Sequence, residues 1–207
     1  MRPDERGPVS VDLVLRAEDG TIVADEVHRW FDDATLAERG FLSTLRGPVL
    51  DVGCGPGRLV AALHELGTPS LGIDIAPAAI ELTRDRGASA LARSVFDRLP
   101  GEGRWATAIL ADGNIGIGGN PSALLARLAV LVRPGGEIAV EVDRPGRGLR
   151  HLHVRIERDA EVSGWFPWAT ADDATVRRLG ARFELFPCRR HDVDDRSFTV
   201  LRHGVVS

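Results

Sequence analysis

The sequence predicts an α/β fold with a doubly wound, mostly parallel seven-stranded sheet whose last strand runs antiparallel. Short apolar runs of strand length alternate with segments in which apolar residues recur at helical spacing. The run 49–52 leads directly into a turn with glycine at positions 53, 55 and 57, and a helix follows. A second run, 71–75, contains Asp74. In a doubly wound sheet the end of this second strand lies beside the turn that follows the first strand.

Two segments outside this repeat, residues 1–46 and 143–169, are expected to be lids. In the first, apolar residues at alternate positions precede a turn at 18–21 and predict a small hairpin, and residues 25–46 are expected to be helical. The alternating residues are Val9, Val11, Leu13 and Leu15.

The repeat itself spans residues 47–142. Pro77 and Gly87 frame a predicted helix of residues 77–86, and Pro121 begins another. After the break, Thr170 is predicted to cap a helix that ends at Gly180. The remaining predicted strands are 89–96, 105–111, 137–142, 152–156, 182–189 and 197–203.

Composition excludes several classes of function. The chain has 207 residues, enough for one domain with a substantial core. A net charge of −4 offers no basic surface for nucleic acid, and no apolar run is long enough for a membrane span. Cys54 and Cys188 are the only cysteines and no signal-peptide pattern is seen, so we expect a cytoplasmic protein. All 26 Lys and Arg positions are arginine and tyrosine is absent, which excludes a Tyr–Lys proton-transfer pair.

The glycine turn and the acid that follows predict a site for a ligand that contains adenosine. Glycines at 53, 55 and 57 let the main chain bend sharply and let a ligand approach it. The carboxylate of Asp74 can accept hydrogen bonds from both hydroxyls of a ribose. A dinucleotide fingerprint needs a third glycine where Arg58 stands, and a phosphate-binding loop needs lysine, so neither motif is present.

The sequence LDVGCGPG at residues 50–57 closely resembles the first motif of class I S-adenosylmethionine (SAM)-dependent methyltransferases. IDI at 73–75 resembles the ribose-binding acid of that family, and RPGG at 133–136 is also similar. The resemblance implies a Rossmann-like fold, SAM as cofactor, S-adenosylhomocysteine as product and a small-molecule acceptor. It also implies a single methyltransferase domain over residues 1–207, divided into an N-terminal cap (1–46), a SAM-binding core (47–142), a lid insertion (143–169) and a closing helix and strand pair (170–207).

The same resemblance assigns roles along the carboxyl edge of the sheet. Asp51 would lie near the amino group of the cofactor and Asp74 would hold the ribose. The adenine would contact main chain at Val95 or Phe96, because the acid usual at that place is absent. The predicted cofactor-binding residues are Asp51, Gly53, Cys54, Gly55, Gly57, Asp74, Ile75, Val95, Phe96 and Asp112.

Asn114, in the glycine-rich loop after strand four, is the predicted catalytic residue, or else it only caps a local turn. The two lids carry the aromatic residues Trp30, Phe31, Trp165, Phe166 and Trp168. These would form a large exposed patch if the lids hung free, so we expect the lids to meet above the glycine turn and to form an aromatic wall around a mostly apolar acceptor site. The predicted substrate residues, for which core packing is the alternative, are Trp165, Phe166 and Trp168. His151 and His153 share one face of a strand and could supply a general base, but no metal site is predicted from this pair.

Two other functions stay open on the sequence alone. A protein of the same fold could bind SAM without methylating anything, in a regulatory or other role. A nicotinamide oxidoreductase would share the sheet, although Arg58 and the missing tyrosine and lysine argue against it. The Asn/Asp-Pro-Pro-aromatic motif of many base-amino methyltransferases is absent from residues 111–114, which favours a small-molecule acceptor. The atom methylated and the oligomeric state are not predicted.

Overall fold

The computed structural model describes residues 13–24, 27–158 and 161–204, so the predicted hairpin residues Val9 and Val11 lie outside the described residues. The strands are β1 (Leu13–Ala17), β2 (Ile22–Ala24), β3 (Val49–Val52), β4 (Ser70–Asp74), β5 (Ala90–Ala92), β6 (Trp105–Leu110), β7 (Val132–Val142), β8 (Leu149–Arg158), β9 (Glu161–Val162), β10 (Phe166–Ala171), β11 (Leu185–Val193) and β12 (Arg196–His203). The helices are α1 (Leu36–Ser43), α2 (Arg58–Glu65), α3 (Pro77–Asp85), α4 (Pro121–Leu131) and α5 (Asp173–Gly180), with 3-10 helices at Val27–Phe31, Asn114–Gly119 and Ala181–Phe183.

The larger sheet has seven strands in the order β11-β12-β7-β6-β3-β4-β5. Strands β5, β4, β3, β6 and β7 pair in parallel, and β12 runs antiparallel to both β7 and β11. The chain order reverses beside β3, since β4 lies on one side of it and β6 on the other. This confirms the predicted mostly parallel, Rossmann-like sheet with an antiparallel last strand, and it places the switch point at the end of β3.

Helices cover both faces of this sheet, which is why its central strands are apolar along their whole length. Every residue of β3 and of β6 is buried. One face packs against α4 and α5, through residues such as Leu128 and Val176, and the other packs against α1 and α2, through Leu42 and Leu63. No helix within the described residues is long and apolar enough to cross a membrane.

The smaller sheet is antiparallel and joins the two segments that lie outside the βα repeat. Its strands run in the order β10-β8-β1-β2, and β9 pairs with the end of β8. Leu15 of β1 is the register partner of Ile156 of β8. Leu15, Ala17 and Val154 are buried, with Phe166 and Trp168 packed against them. The face that carries these side chains is turned to the carboxyl edge of the larger sheet, as the cavity described below shows.

The structure corrects several predicted boundaries. The third strand is limited to β5, and the fifth begins at Val132 because it continues through the RPGG sequence with a register shift against β6. Thr170 does not cap a helix, because it lies within β10, which the sequence did not predict. Asp172 is the cap of α5, and its side chain accepts a hydrogen bond from the Thr175 N–H.

Candidate functional site

The glycine turn is folded onto the end of β4 by main-chain hydrogen bonds. The N–H groups of Gly53 and Cys54 both donate to the Ile73 carbonyl, at 2.8 and 3.0 Å. The Gly55 N–H donates to Oδ2 of Asp74 at 3.0 Å, while Oδ1 of Asp74 accepts from the Ala76 N–H at 2.9 Å. The predicted turn and the predicted acid are therefore in direct contact. Each carboxylate oxygen of Asp74 keeps a second lone pair that can accept another hydrogen bond.

Asn114 holds the other side of the turn. Its side-chain nitrogen donates to the carbonyl groups of Val52 and Gly53, both at 2.9 Å. The 3-10 helix Asn114–Gly119, which follows β6, places it there. Asn114 borders the same cavity as the turn, but its amide donor is engaged by main chain. Its position is that of a residue that supports the turn.

A cavity of about 1210 Å³ opens between the glycine turn and the smaller sheet. Ligand pockets commonly measure roughly 300–1,000 Å³, so this cavity has room for two small molecules side by side. Its lining includes the predicted cofactor-binding residues Asp51, Gly53, Cys54, Gly55, Asp74, Ile75 and Asp112. Its opposite wall carries residues of the two segments outside the repeat, among them Leu15, Trp30, Phe31, Ile156, Phe166 and Trp168.

Three predicted cofactor-binding residues do not border the cavity. Gly57 has a φ of +88°, and a Cβ there would lie 2.6 Å from the Thr83 side chain, so glycine is required by packing against α3. Val95 is buried in the main core and its carbonyl accepts a hydrogen bond from Arg127. The Phe96 N–H donates to the Ser94 hydroxyl. The Val95 carbonyl and the Phe96 N–H therefore already have hydrogen-bond partners within the chain.

Asp51 is a buried acid with a raised pKa. It is 2% exposed, and its Oδ2 has no hydrogen-bond partner among the described residues. Burial, reinforced by the neighbouring carboxylates of Asp112 and Asp74, raises the pKa of Asp51 to about 7. A positively charged group placed in the cavity beside Asp51 would stabilise its ionised form.

A cluster of buried charges lies beneath the cavity. Arg58 and Arg196 both donate to the same carboxylate oxygen of Glu38, which is 2% exposed. Arg58 also donates to Asp112 at 2.6 Å, and Arg196 lies 3.3 Å from Asp112 and 3.4 Å from Glu141. The Asp112 N–H donates to Glu141 at 2.6 Å. Asp112 is therefore a fixed, charge-compensated part of the cavity floor.

Two of the three predicted substrate residues line the cavity. Phe166 and Trp168 line the cavity, with ring centroids 6.0 Å apart in an edge-to-face arrangement. Trp165 is outside it, 45% exposed, with the Arg155 guanidinium 4.7 Å from its ring centroid. Trp165 precedes β10, so the alternation of the strand does not carry it to the cavity.

The two histidines considered as general bases are also outside the cavity lining. Nδ1 of His151 contacts the Gly119 carbonyl at 2.9 Å, and Nδ1 of His153 lies 3.5 Å from Glu18. The Cys54 thiol does border the cavity, but burial raises its pKa, so the thiol stays protonated and is not a nucleophile.

Comparisons with known proteins agree with this geometry. Residues 49–136 match a sequence model of the family described as "Methyltransferase domain". These residues are similar to a methyltransferase domain. The match spans β3 to the start of β7, which are the elements that build the glycine turn, Asp74 and the Asn114 loop.

Solved structures of methyltransferases share the fold well beyond this domain. A SAM-dependent methyltransferase from Bacteroides fragilis, in complex with S-adenosylhomocysteine, is 22% identical with a TM-score of 0.75, covering 93% of this chain and 88% of its own. The 1,6-didemethyltoxoflavin-N1-methyltransferase of Burkholderia thailandensis is 22% identical with a TM-score of 0.61, covering 87% and 83%. The sugar N-methyltransferase KedS8 of Streptoalloteichus is 16% identical with a TM-score of 0.62, covering 87% and 92%.

The site at this edge of the sheet fits SAM in three ways. The Asp51 carboxylate, which borders the cavity, suits the ammonium of the methionine half. The remaining lone pairs of Asp74 suit the ribose hydroxyls. Ile75, which follows Asp74 and is 76% exposed at the cavity, offers an apolar surface to the adenine. These groups lie on one edge of the sheet in the order that an extended SAM molecule requires.

Sequence reasoning missed the charge cluster. Glu38 forms a capping box with Thr35 at the start of α1, a local role that gives no sign of its buried partners. In the sequence, Arg58 is notable only because it stands where a dinucleotide fingerprint would have its third glycine. Trp30 and Phe31 were expected among the aromatic residues of the lid over the glycine turn, and both line the cavity.

Proposed function

We propose that this chain is a SAM-dependent methyltransferase in which an O, N or C nucleophile of a small molecule attacks the sulfonium methyl in line. One observation carries the proposal: a single cavity is bounded on one side by the glycine turn, Asp51 and Asp74, and on the other by aromatic side chains. The volume of the cavity accommodates both a cofactor and an acceptor.

SAM supplies an electrophilic methyl group, so the chain mainly has to bind, orient and exclude water. Asp51 would bind the ammonium and Asp74 the ribose. Asn114 fixes the carbonyl groups of Val52 and Gly53 and thereby the shape of the turn. The smaller sheet covers one side of the cavity and would help to keep water from the reacting atoms.

The chain provides few groups for removing a proton from the acceptor. It contains no lysine or tyrosine, and no histidine is among the described side chains that line the cavity. The described bases at the cavity are carboxylates, and Asp112 is compensated by Arg58 and Arg196. The proposed acceptor therefore carries a nucleophile that needs little or no help from a strong base.

The extent of the functional unit and its compartment belong to the same proposal. We take residues 1–207 as one methyltransferase unit, in which the cap and the lid insertion cover the core. The pairing of β1 with β8 supports this, because it ties the two segments together. Cys54 and Cys188 are both free, which supports a cytoplasmic location.

Calorimetry with SAM, S-adenosylhomocysteine and NAD tests the proposal. We expect saturable heat with SAM and S-adenosylhomocysteine and none with NAD. Binding of NAD alone would refute the proposal in favour of an oxidoreductase. Binding of SAM with no labelled methyl transferred to any member of a broad acceptor panel would favour a SAM-binding protein that does not methylate.

A further inference from the structure

The acceptor half of the cavity is selective in its chemistry. Resting on the proposed function, we propose that the acceptor is an apolar aromatic molecule without net charge, bearing a hydroxyl or amine as the methylated group. The wall that would contact it consists of Phe166 and Trp168 from β10 with Trp30 and Phe31 from the N-terminal 3-10 helix. Leu15 and Ile156 complete the apolar surface.

The Trp168 indole is held in place by the loop after β6. Gly116 lies so close that a Cβ there would meet the indole nitrogen at 2.5 Å and the Ala169 carbonyl oxygen at 2.3 Å. Any larger residue at position 116 would push β10 away from the site. This close approach accounts for glycine at position 116 of the glycine-rich loop, and it fixes the indole beside Phe166. The result is a rigid aromatic surface, which stacks with an aromatic ring at little cost in entropy.

The 3-10 helix that carries Trp30 and Phe31 is anchored by two arginines. Arg86, at the end of α3, donates to the main-chain carbonyl groups of Phe31 and Asp32 and to the Asp33 carboxylate. Nε of Arg29 lies 3.3 Å from Asp112 on the cavity floor. These contacts hold the second pair of aromatic residues over the cavity.

The charges near this wall offer little to an anion or to a polyhydroxylated acceptor. Asp112 is compensated by Arg58 and Arg196. Arg158 and Glu161, which also line the cavity, are register partners of opposite charge on β8 and β9. A sugar would have to leave most of its hydroxyls against apolar side chains, at a cost of roughly 1–3 kcal/mol for each one left unpaired. An aromatic ring has no such cost and gains the stacking.

The chemical step suits a nucleophile on such a ring. A lone pair of the oxygen or nitrogen forms the bond to the methyl carbon, and the carbon–sulfur bond breaks with its electron pair going to sulfur. SAM becomes neutral at sulfur as S-adenosylhomocysteine, and the proton of the hydroxyl or amine passes to a carboxylate or to water. A phenol loses this proton far more readily than an aliphatic alcohol. An aromatic amine attacks as the neutral amine and then loses the proton readily from the ammonium that methylation forms, in keeping with a cavity whose described lining has no histidine.

Calorimetry on the full chain saturated with S-adenosylhomocysteine tests this proposal, with 2-naphthol and 1-naphthylamine as aromatic probes and D-glucosamine as the polar control. Both aromatic probes should bind and glucosamine should not. Trp168→Ala should weaken naphthol binding at least about tenfold and leave the affinity for S-adenosylhomocysteine unchanged. Trp165→Ala is the matched control, since Trp165 lies outside the cavity, and it should change neither. Phe166→Leu serves as a second test variant if Trp168→Ala is poorly folded.

The outcomes separate this proposal from the one on which it rests. If the wild-type protein does not bind S-adenosylhomocysteine, the proposed function itself is refuted. Normal S-adenosylhomocysteine binding with no heat from either naphthalene, or with tighter binding of glucosamine, would overturn the aromatic acceptor alone. Equal effects of Trp165→Ala and Trp168→Ala on naphthol binding would also overturn it.

Discussion

Asp51 combines an elevated pKa with a buried carboxylate oxygen that has no hydrogen-bond partner among the described residues. Its pKa of about 7 is far above the ordinary 3.8 because the side chain is buried beside two other acids. In the cofactor-free protein the folded state therefore holds a proton that the unfolded chain has released. The contribution of Asp51 makes stability fall as pH rises from about 4 to about 7. An ammonium beside Asp51 would reverse this by favouring the carboxylate.

We predict that binding of S-adenosylhomocysteine at pH 6 releases about one proton from Asp51. The α-amino group of the ligand, with a pKa of roughly 7.7–8.0, is already charged at that pH, so it would favour the ionised carboxylate without taking up a proton itself. The measurement is calorimetry in two buffers with different ionisation enthalpies. Asp51→Asn is isosteric and should abolish the release. Identical heats in the two buffers with the wild-type protein would show that the ammonium lies elsewhere.

Asp74 is the second residue whose role can be tested alone. Asp74→Ala should weaken S-adenosylhomocysteine binding at least about tenfold, since hydrogen bonds to a charged group contribute roughly 1.5–3 kcal/mol each. The substitution also removes the bonds from Gly55 and Ala76, so unfolding by urea should be measured beside the affinity. Asp85→Ala, at the far end of α3, is the control and should leave both unchanged. An unaltered dissociation constant for Asp74→Ala would place the ribose at another group.

At the scale of elements, the turn between β10 and α5 depends on one carboxylate. Asp172 accepts hydrogen bonds from the N–H groups of Thr175, Gly146 and Gly148, at 2.9–3.0 Å. These bonds lower its pKa to about 2, the bond from Gly148 having the largest effect. Asp172 therefore joins the start of α5 to the loop between β7 and β8, and so positions both strands that enter the smaller sheet.

We predict that Asp172→Ala destabilises the protein by about 2–4 kcal/mol at neutral pH, the sum of a lost helix cap and two lost turn bonds. Because the folded pKa is depressed, the stabilisation is present above pH 3.8 and is lost as pH falls towards 2. The penalty should therefore shrink in urea unfolding at acid pH. Thr170→Ala tests the alternative cap and should cost less than about 1 kcal/mol. A larger cost for Thr170→Ala than for Asp172→Ala would return the cap to Thr170.

Most elements of the larger sheet are predictable because their signals are local. A continuous apolar run such as β3 or β6 indicates a strand covered on both faces, and Pro77 and Asn120 mark the starts of helices. The sequence analysis correctly identified the loop after β6 by its glycines, but it did not predict why those glycines are needed. Gly116 is explained by β10, which is far away in the sequence and carries no turn or helix signal of its own.

At the scale of the whole molecule, the smaller sheet shows where sequence reasoning ends. Leu15 of β1 pairs with Ile156 of β8, and nothing in either local pattern names the other strand as its partner. The same limit hides the charge cluster, since Glu38 and Arg196 come from opposite ends of the chain and meet only in the fold. Asp74 and the glycine turn were predictable together because a doubly wound sheet dictates that they meet.

The buried cluster ties the N-terminal cap to the core and gives a prediction for the molecule as a whole. Glu38 belongs to α1, while its two partners, Arg58 and Arg196, begin α2 and β12. Glu38→Gln keeps the shape of the side chain but removes the buried carboxylate that both arginines share, and leaves them with Asp112 as their common counter-charge. We expect it to lower the free energy of unfolding by about 3–5 kcal/mol. Glu65→Gln, which breaks an exposed pair with Arg39, is the matched control and should cost under about 1 kcal/mol.

A double-mutant cycle shows whether the cluster acts as a unit. In Arg58→Met the Glu38 carboxylate keeps Arg196, so the loss should be smaller than in Glu38→Gln. Combining the two substitutions should cost clearly less than the sum of the separate losses, because each removes a partner that the other has already lost. Hydrogen exchange in α1 and β1 should quicken in Glu38→Gln before exchange in β3 and β6 does, since the cap is joined to the core through this carboxylate. Additive losses, with exchange unchanged in α1, would show that the cap is held by its apolar contacts alone.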